Sequence, residues 1–275
     1  SPKLSQTSNN IFLNEKLLAR VKSIYDKKEQ LNLSTEDAKL LEDLYESFKA
    51  NGATLNKDDK EKYRKLSMDL SMLTLQFDQN ALKDKNRFEL QITDENELSG
   101  LPESARDAAA MLAKSKDKNG WLFNLSAPSY IPFMRYSDKR DLREKMYREY
   151  MSVGNKGDEF DNKDIIKKIV NIRLEIAQLM GFKNYAEYAL EHTMAKNSAN
   201  VYKLLNQLLE AYKPIAINEY NAVEGFALGT EKENITVMPW DWSYYSEKLR
   251  DIRFKVNDEM TRPYFELSNV KKGVF

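Results

Sequence analysis

A chain of 275 residues is long enough for one large domain or two smaller ones around a substantial core. Its 43 basic and 43 acidic side chains cancel, which argues against a general nucleic-acid or anionic-membrane surface, since those need a net basic face, and leaves room only for local patches. With 41% hydrophobic and 31% charged residues but only 9 Gly and 7 Pro, the composition excludes a turn-dense all-β fold, and no apolar run approaches the roughly 20 residues of a membrane span.

In chain order, a first helix is expected over about 10–28. Ser34 with Asp37 opens a second helix that runs to Ala50 and is ended by Gly52. A long third helix, 57–84, follows Asn56 and carries the stripe Leu66, Leu70, Leu73, Phe77. The last two form an antiparallel hairpin on which the first packs, making a bundle. Two short alternating segments, 88–92 and 121–125, read as strands of a small ribbon, with an Ala-rich helix over 102–116 between them. Residues 126–134 hold two prolines and are expected as a non-helical loop.

Further helices are expected at 139–152 and 163–180. The second carries Ile165, Ile169, Ile172, Ile176 and Leu179 at alternating spacings of four and three, with Asp161 or Asn162 as cap and Gly181 as terminator. Asn184 and Glu187 form a capping pair for 184–192, and 199–227 is a long helix bent at Pro214. Residues 229–238 are the most linker-like stretch; Asp241 can cap a helix over 242–254, and Ser268 opens one that reaches Phe275. The fold class is mainly α, a multi-helix bundle or array with one two-stranded β ribbon. Three regions are expected: 1–86 a hairpin bundle, 87–136 the ribbon with its helix and Pro-rich loop, and 137–275 helical.

Chemistry-bearing residues are few. The chain has one histidine, His192, and no cysteine, so disulfides, thiol chemistry and a zinc site of three or four His, Cys or carboxylate ligands are beyond it. His192, beside Glu191 near a helix end, reads as a structural or surface group. Asp117-Lys-Asn-Gly120 resembles part of a calcium loop but lacks acids at both ends, leaving a plain turn. The sequons at Asn32, Asn124 and Asn234 carry no weight, the paired acids Asp58-Asp59 and Asp94-Glu95 complement helix dipoles, and neither Gly-rich phosphate pattern occurs. The block Trp240, Trp242, Tyr244, Tyr245 is the best candidate beyond packing, because rings with polar tips line peptide clefts; the competing reading makes alternate members core. Tyr130 and Phe133 in the Pro-bounded loop carry the same two readings.

Ordered blocks run along nearly the whole chain: Ile11 to Arg20, Glu42 to Leu55, Pro128-Ser-Tyr-Ile-Pro-Phe-Met134, Asp161-Asn-Lys-Asp164, Leu179 to Tyr188 and Met194-Ala-Lys196. Pro239-Trp-Asp-Trp242 with Tyr244-Tyr-Ser-Glu247, Pro263-Tyr-Phe-Glu-Leu267 and Gly273-Val-Phe275 complete them. In this order they resemble the helical amino-terminal part of peptidyl-dipeptidases in the thimet-oligopeptidase family of zinc metallopeptidases. The resemblance implies one lobe of a larger channel-forming peptidase that releases dipeptides from the carboxy ends of oligopeptides. It also implies that the zinc and the His-Glu-x-x-His helix lie in a carboxy-terminal part not in this chain. The expectations are a truncated piece with no catalytic residue and no cofactor of its own, whose partners are the zinc-bearing remainder and an oligopeptide, with no nucleic acid and no membrane span.

The polar start, 1–10, lacks the apolar core of a signal peptide; in a truncated piece that leaves the compartment open, cytoplasmic or exported. The rival reading is a helical interaction or scaffold module without enzymatic role, which explains the helices and the missing ligands but not the ordered blocks.

Overall fold

The computed structural model describes residues 2–231, 235–256 and 258–275. In chain order the elements are α1 (Pro2–Phe12), α2 (Glu15–Tyr25), α3 (Thr35–Ala50), α4 (Lys57–Arg87), β1 (Leu90–Ile92), α5 (Glu103–Ser115), β2 (Trp121–Phe123) and α6 (Ala127–Tyr136). They continue with α7 (Arg140–Met151), α8 (Lys163–Leu179), α9 (Tyr185–Leu190), α10 (Ser198–Thr230), α11 (Pro239–Phe254), α12 (Asp258–Thr261) and α13 (Leu267–Val274). The architecture is mainly α with one small antiparallel ribbon. The chain forms two compact units, Ser1–Leu82 with Gly157–Gln207, and Lys83–Lys156 with Leu208–Phe275, so the stretch 137–275 contributes to both.

In the first unit the single helix expected over 10–28 is two helices. The Asn14 side chain accepts the N–H groups of Lys16 (3.0 Å) and Leu17 (3.2 Å), and this cap starts a new helix where apolar spacing alone runs on. Phe12 meets Phe48 edge-on at 5.3 Å and Tyr25 stacks on Tyr45 at 4.1 Å, which holds α1 and α2 to α3. The stripes of α4 and α8 meet in one cluster, with Leu66 and Ile176 buried beside Leu13 and Tyr63 and with Leu70, Ile172 and Leu179 packed against them. Asp161 accepts the Lys163 N–H at 2.9 Å, while Asn162 donates to the Phe77 carbonyl at 3.1 Å and ties α8 to α4 instead of capping it. Gly181, at φ +85°, ends α8, with the Phe182 N–H returning to the Ala177 carbonyl. Asn184 and Glu187 cap α9.

In the second unit β1 and β2 pair as Leu90 with Phe123, Gln91 with Leu122 and Ile92 with Trp121. Ala109 and Ala113 are buried, so small side chains let α5 approach the ribbon closely. The expected loop at 126–134 is helix α6. Pro128 occupies the first turn, where a missing N–H costs nothing, and Pro132 lies inside the helix. Its lost bond is offset by burial of Phe133 and Met134 in the main cluster with Leu98, Phe123, Leu125, Met146 and Trp240. Buried Asp84 at the end of α4 accepts the Gly154 N–H at 2.7 Å and pairs with Arg87 and Lys156, which fixes the segment after α7. Helix α11 begins three residues before the expected start. The sequon at Asn234 and part of the linker-like stretch 229–238 lie outside the described residues.

The segment 117–120 is a turn, with Asp117 at φ +54° and Gly120 at +80°. A Cβ on Gly120 would stand 2.2 Å from the Ile92 carbonyl oxygen, at the closed end of the ribbon. Gly120→Ala is therefore expected to lower stability by at least about 1–3 kcal/mol, the range for a strained backbone position. Thermal unfolding followed by tryptophan fluorescence checks this; an unchanged midpoint would show that the ribbon yields freely.

Candidate functional site: the aromatic helix and its arginine frame

Helix α11 carries the aromatic block. Trp240, Tyr244 and Tyr245 are buried, at 6%, 6% and 2% exposure, while Trp242 is 37% exposed. Spacing puts 240, 244 and 247 on one helical face and 242 on the opposite one, while Tyr245, which lies between the two faces, is buried because Phe226, Val223 and Ala227 of α10 cover it. Trp240 joins the main cluster near Tyr147, and the Arg148 guanidinium lies 4.8 Å from its ring centroid. Tyr244 and Tyr245 pack edge-on at 5.0 Å against Val223 and Ala227 of α10.

Asp241, fully buried, organises the frame. Arg140 donates from Nε to both carboxylate oxygens at 3.1 Å and from Nη2 at 2.7 Å, and Arg143 donates from Nη2 at 2.8 Å. The Met238 N–H donates to the same carboxylate at 3.0 Å, so one side chain caps α11 and ties it to α7. Arg143, 1% exposed, also donates to the carbonyls of Ser137 (2.7 Å) and Trp240 (3.3 Å) and lies over the Tyr244 ring at 3.9 Å. Burial pushes the Asp241 carboxyl up, but donation from Arg140, Met238 and Arg143 outweighs it and holds the group below the usual carboxylate range.

Asp138 behaves alike: burial raises it, while Ser99, Tyr244 and Lys248 together hold it low. Tyr244 donates to Asp138 at 2.7 Å and Tyr245 to Glu231 at 2.6 Å; burial first, then these carboxylates, push both phenols well above their ordinary value. The buried carboxylate and guanidinium of Asp241 and Arg143 are partnered, an arrangement that fixes the geometry of the frame.

Two clefts flank the helix. One of about 240 Å³ is walled by charged groups including Asp138, Glu247, Lys248 and Asp251. The other, of about 330 Å³, lies between α10 and α11 and is lined by Trp242, Leu249, Arg253 and Phe254. Trp242 stacks on Tyr220 there, at 6.0 Å and 6° between planes, and the buried Ser246 hydroxyl has no partner among the described residues. Tyr130 stacks on Tyr150 at 4.3 Å and Phe133 is fully buried. Sequence reasoning missed Arg140, Arg143 and Asp138. The available signal was the pair of arginines three residues apart, which share a helix face with Met146.

The side chains of the described residues are not arranged to hold a zinc ion. Among the described residues no group of three or more His, Cys, Asp or Glu converges, and His192 is exposed beside Glu191, 3.3 Å away. No step of hydrolysis is assigned to this chain's residues.

The model of peptidase family M3 matches residues 133–275. The chain is 34% identical to oligopeptidase A of Salmonella typhimurium over 281 residues, covering all of this chain and 41% of that protein. It is 35% identical to a probable cytosolic oligopeptidase A of Arabidopsis thaliana, over 92% of this chain and 37% of that one. To the dipeptidyl carboxypeptidase of Escherichia coli it is 31% identical, over the whole chain and 40% of the relative. The chain thus spans about two fifths of the length of these relatives, and by the family match over its second half together with the similarity along its whole length, it belongs to peptidase family M3.

Proposed function

We propose that this chain is the non-catalytic, channel-walling part of a zinc-dependent M3 peptidase that hydrolyses oligopeptides and, when complete, releases dipeptides from their carboxy ends. The observation that carries the reading is the joint one: similarity along the whole chain to about 41% of a peptidase, in a chain with one histidine and no zinc ligand set among its described residues. Zinc, when bound in the remainder, would activate water and polarise the scissile carbonyl. What this chain's residues would do is shape the route to it. Trp242, the exposed member of the aromatic block, is the one able to touch peptide, and Trp240, Tyr244 and Tyr245 hold α11 in place behind it.

The test is a fluorogenic peptide assay on this chain, on the remainder encoded by the same gene, and on their mixture, each with zinc and with a chelator. The expected result is no turnover by this chain and chelator-sensitive turnover by the mixture, with dipeptides as products by mass spectrometry. Chelator-sensitive turnover by this chain alone would refute the reading. Internal cleavage without dipeptide release would keep the peptidase and reject the dipeptidase mode.

A further inference from the structure

Helix α10 continues an interface that has no other side. Its buried residues Val223 and Ala227 pack on Tyr244 and Tyr245, and the same stripe runs back by threes and fours through Tyr220, Ala216, Tyr212 and Leu209. Residues 208–221 are all exposed, including Leu209 at 58% and Tyr212 at 60%. The apolar character is not confined to that stripe. At 100° per residue, Leu208 and Ile215 lie to one side of it and Ile217 to the other, so apolar side chains are spread over an arc of about 200°, with Glu219 and Lys213 the charged residues within it.

A helix whose apolar side chains are spread over such an arc suits a core position, where its two charged side chains can reach out past their stems, because a one-sided contact would leave part of the apolar arc in water. A membrane surface or a second copy of this chain covers one side only. An extended peptide needs a concave seat, and this helix is convex. What can enclose it is a folded body that meets it on several sides, and relatives that match this whole chain are longer by more than half their length.

We infer that residues 208–220 of α10 are a core helix of the complete protein, enclosed by apolar elements from the part that lies outside these 275 residues. The inference rests on the proposed membership of a longer peptidase, but its test reads enclosure and not hydrolysis.

Hydrogen exchange by mass spectrometry on the full-length protein and on this chain is the measurement. The peptide covering 208–220 is expected to exchange at least tenfold more slowly in the full-length protein, while the peptide covering β2, already buried, changes little. Equal exchange of 208–220 in the two proteins overturns the inference. A double variant, Leu209→Asp with Tyr212→Asp, gives an independent check. It should lower the melting temperature of the full-length protein by several degrees and leave that of this chain within about a degree, because both side chains are solvated here. An equal effect in both proteins overturns the inference. So does a concentration-dependent dimer of this chain, or binding of it to neutral lipid vesicles, if the double variant abolishes either and leaves the full-length protein as stable as wild type. A full-length protein that shows the protection but cleaves no peptide refutes the proposed function and leaves the enclosure standing.

Discussion

Asp241→Ala is expected to destabilise the second unit by about 3–5 kcal/mol, the cost of leaving a buried charge without its partner. Arg143 is the group left behind: it is 1% exposed and has no route to water, whereas Arg140, 44% exposed, can turn outward. The variant also removes the acceptor of the Met238 N–H, so α11 loses its cap in the same step. All three tryptophans, 121, 240 and 242, lie in this unit, so urea unfolding followed by tryptophan fluorescence reports on it directly. Lys22→Ala, which removes an exposed pair with Asp26, serves as control and should change little. A loss under about 1 kcal/mol for Asp241→Ala would mean that water reaches Arg143 and that the frame is not dry.

The same pair sets an acid dependence whose sign follows from the lowered pKa. The Asp241 carboxyl is held below its unfolded value of about 3.9, so its stabilisation is fully present above that value and is lost as pH falls through the folded one. Asp138 adds a contribution of the same sign. The stability gap between wild type and Asp241→Ala should therefore be constant from pH 7 to about 5 and narrow below about 4. A gap that widens on acidification would contradict the assigned direction.

Phe133→Ala should cost about 3–5 kcal/mol by the same fluorescence assay, the range for emptying a large aromatic site in a packed core. Phe133 is fully buried and meets Phe123 edge-on at 4.8 Å, so the variant loses a specific ring pair as well as transferred surface. It also removes the packing that keeps α6 helical around Pro132, and circular dichroism should show a small loss of helix beyond that of Phe133→Leu. Phe133→Leu, which keeps most of the volume, is expected to cost less than about 2 kcal/mol. Equal losses for the two variants would mean that the cavity does not dominate the cost.

Local chemistry made part of this protein readable from its residues alone. The Ile stripe of α8, the Ser34 and Asn184 caps, the Gly181 stop and the alternation in β1 lie within a few residues of the structure they specify, so the sequence determined them without tertiary help. Strand β2, by contrast, buries the neighbours Leu122 and Phe123 instead of alternating. The order of the aromatic and proline blocks likewise carried the family resemblance.

Tertiary structure decided what depends on distant partners. Pro128 and Pro132 argue for a loop when read locally, and α6 is helical because Phe133 and Met134 reach a core supplied by β1, β2, α7 and α11. Asn14 splits the first helix because its amide caps a helix whose apolar spacing alone would have continued. Composition places an arginine at the surface, and Arg143 is buried only because Asp241, 98 residues later, comes within 2.8 Å of it. In the aromatic block, the residue types were legible, but which three are core and which one meets solvent was set by where α7 and α10 pack against α11. Spacing fixes which side chains share a face; only packing decides which face is covered.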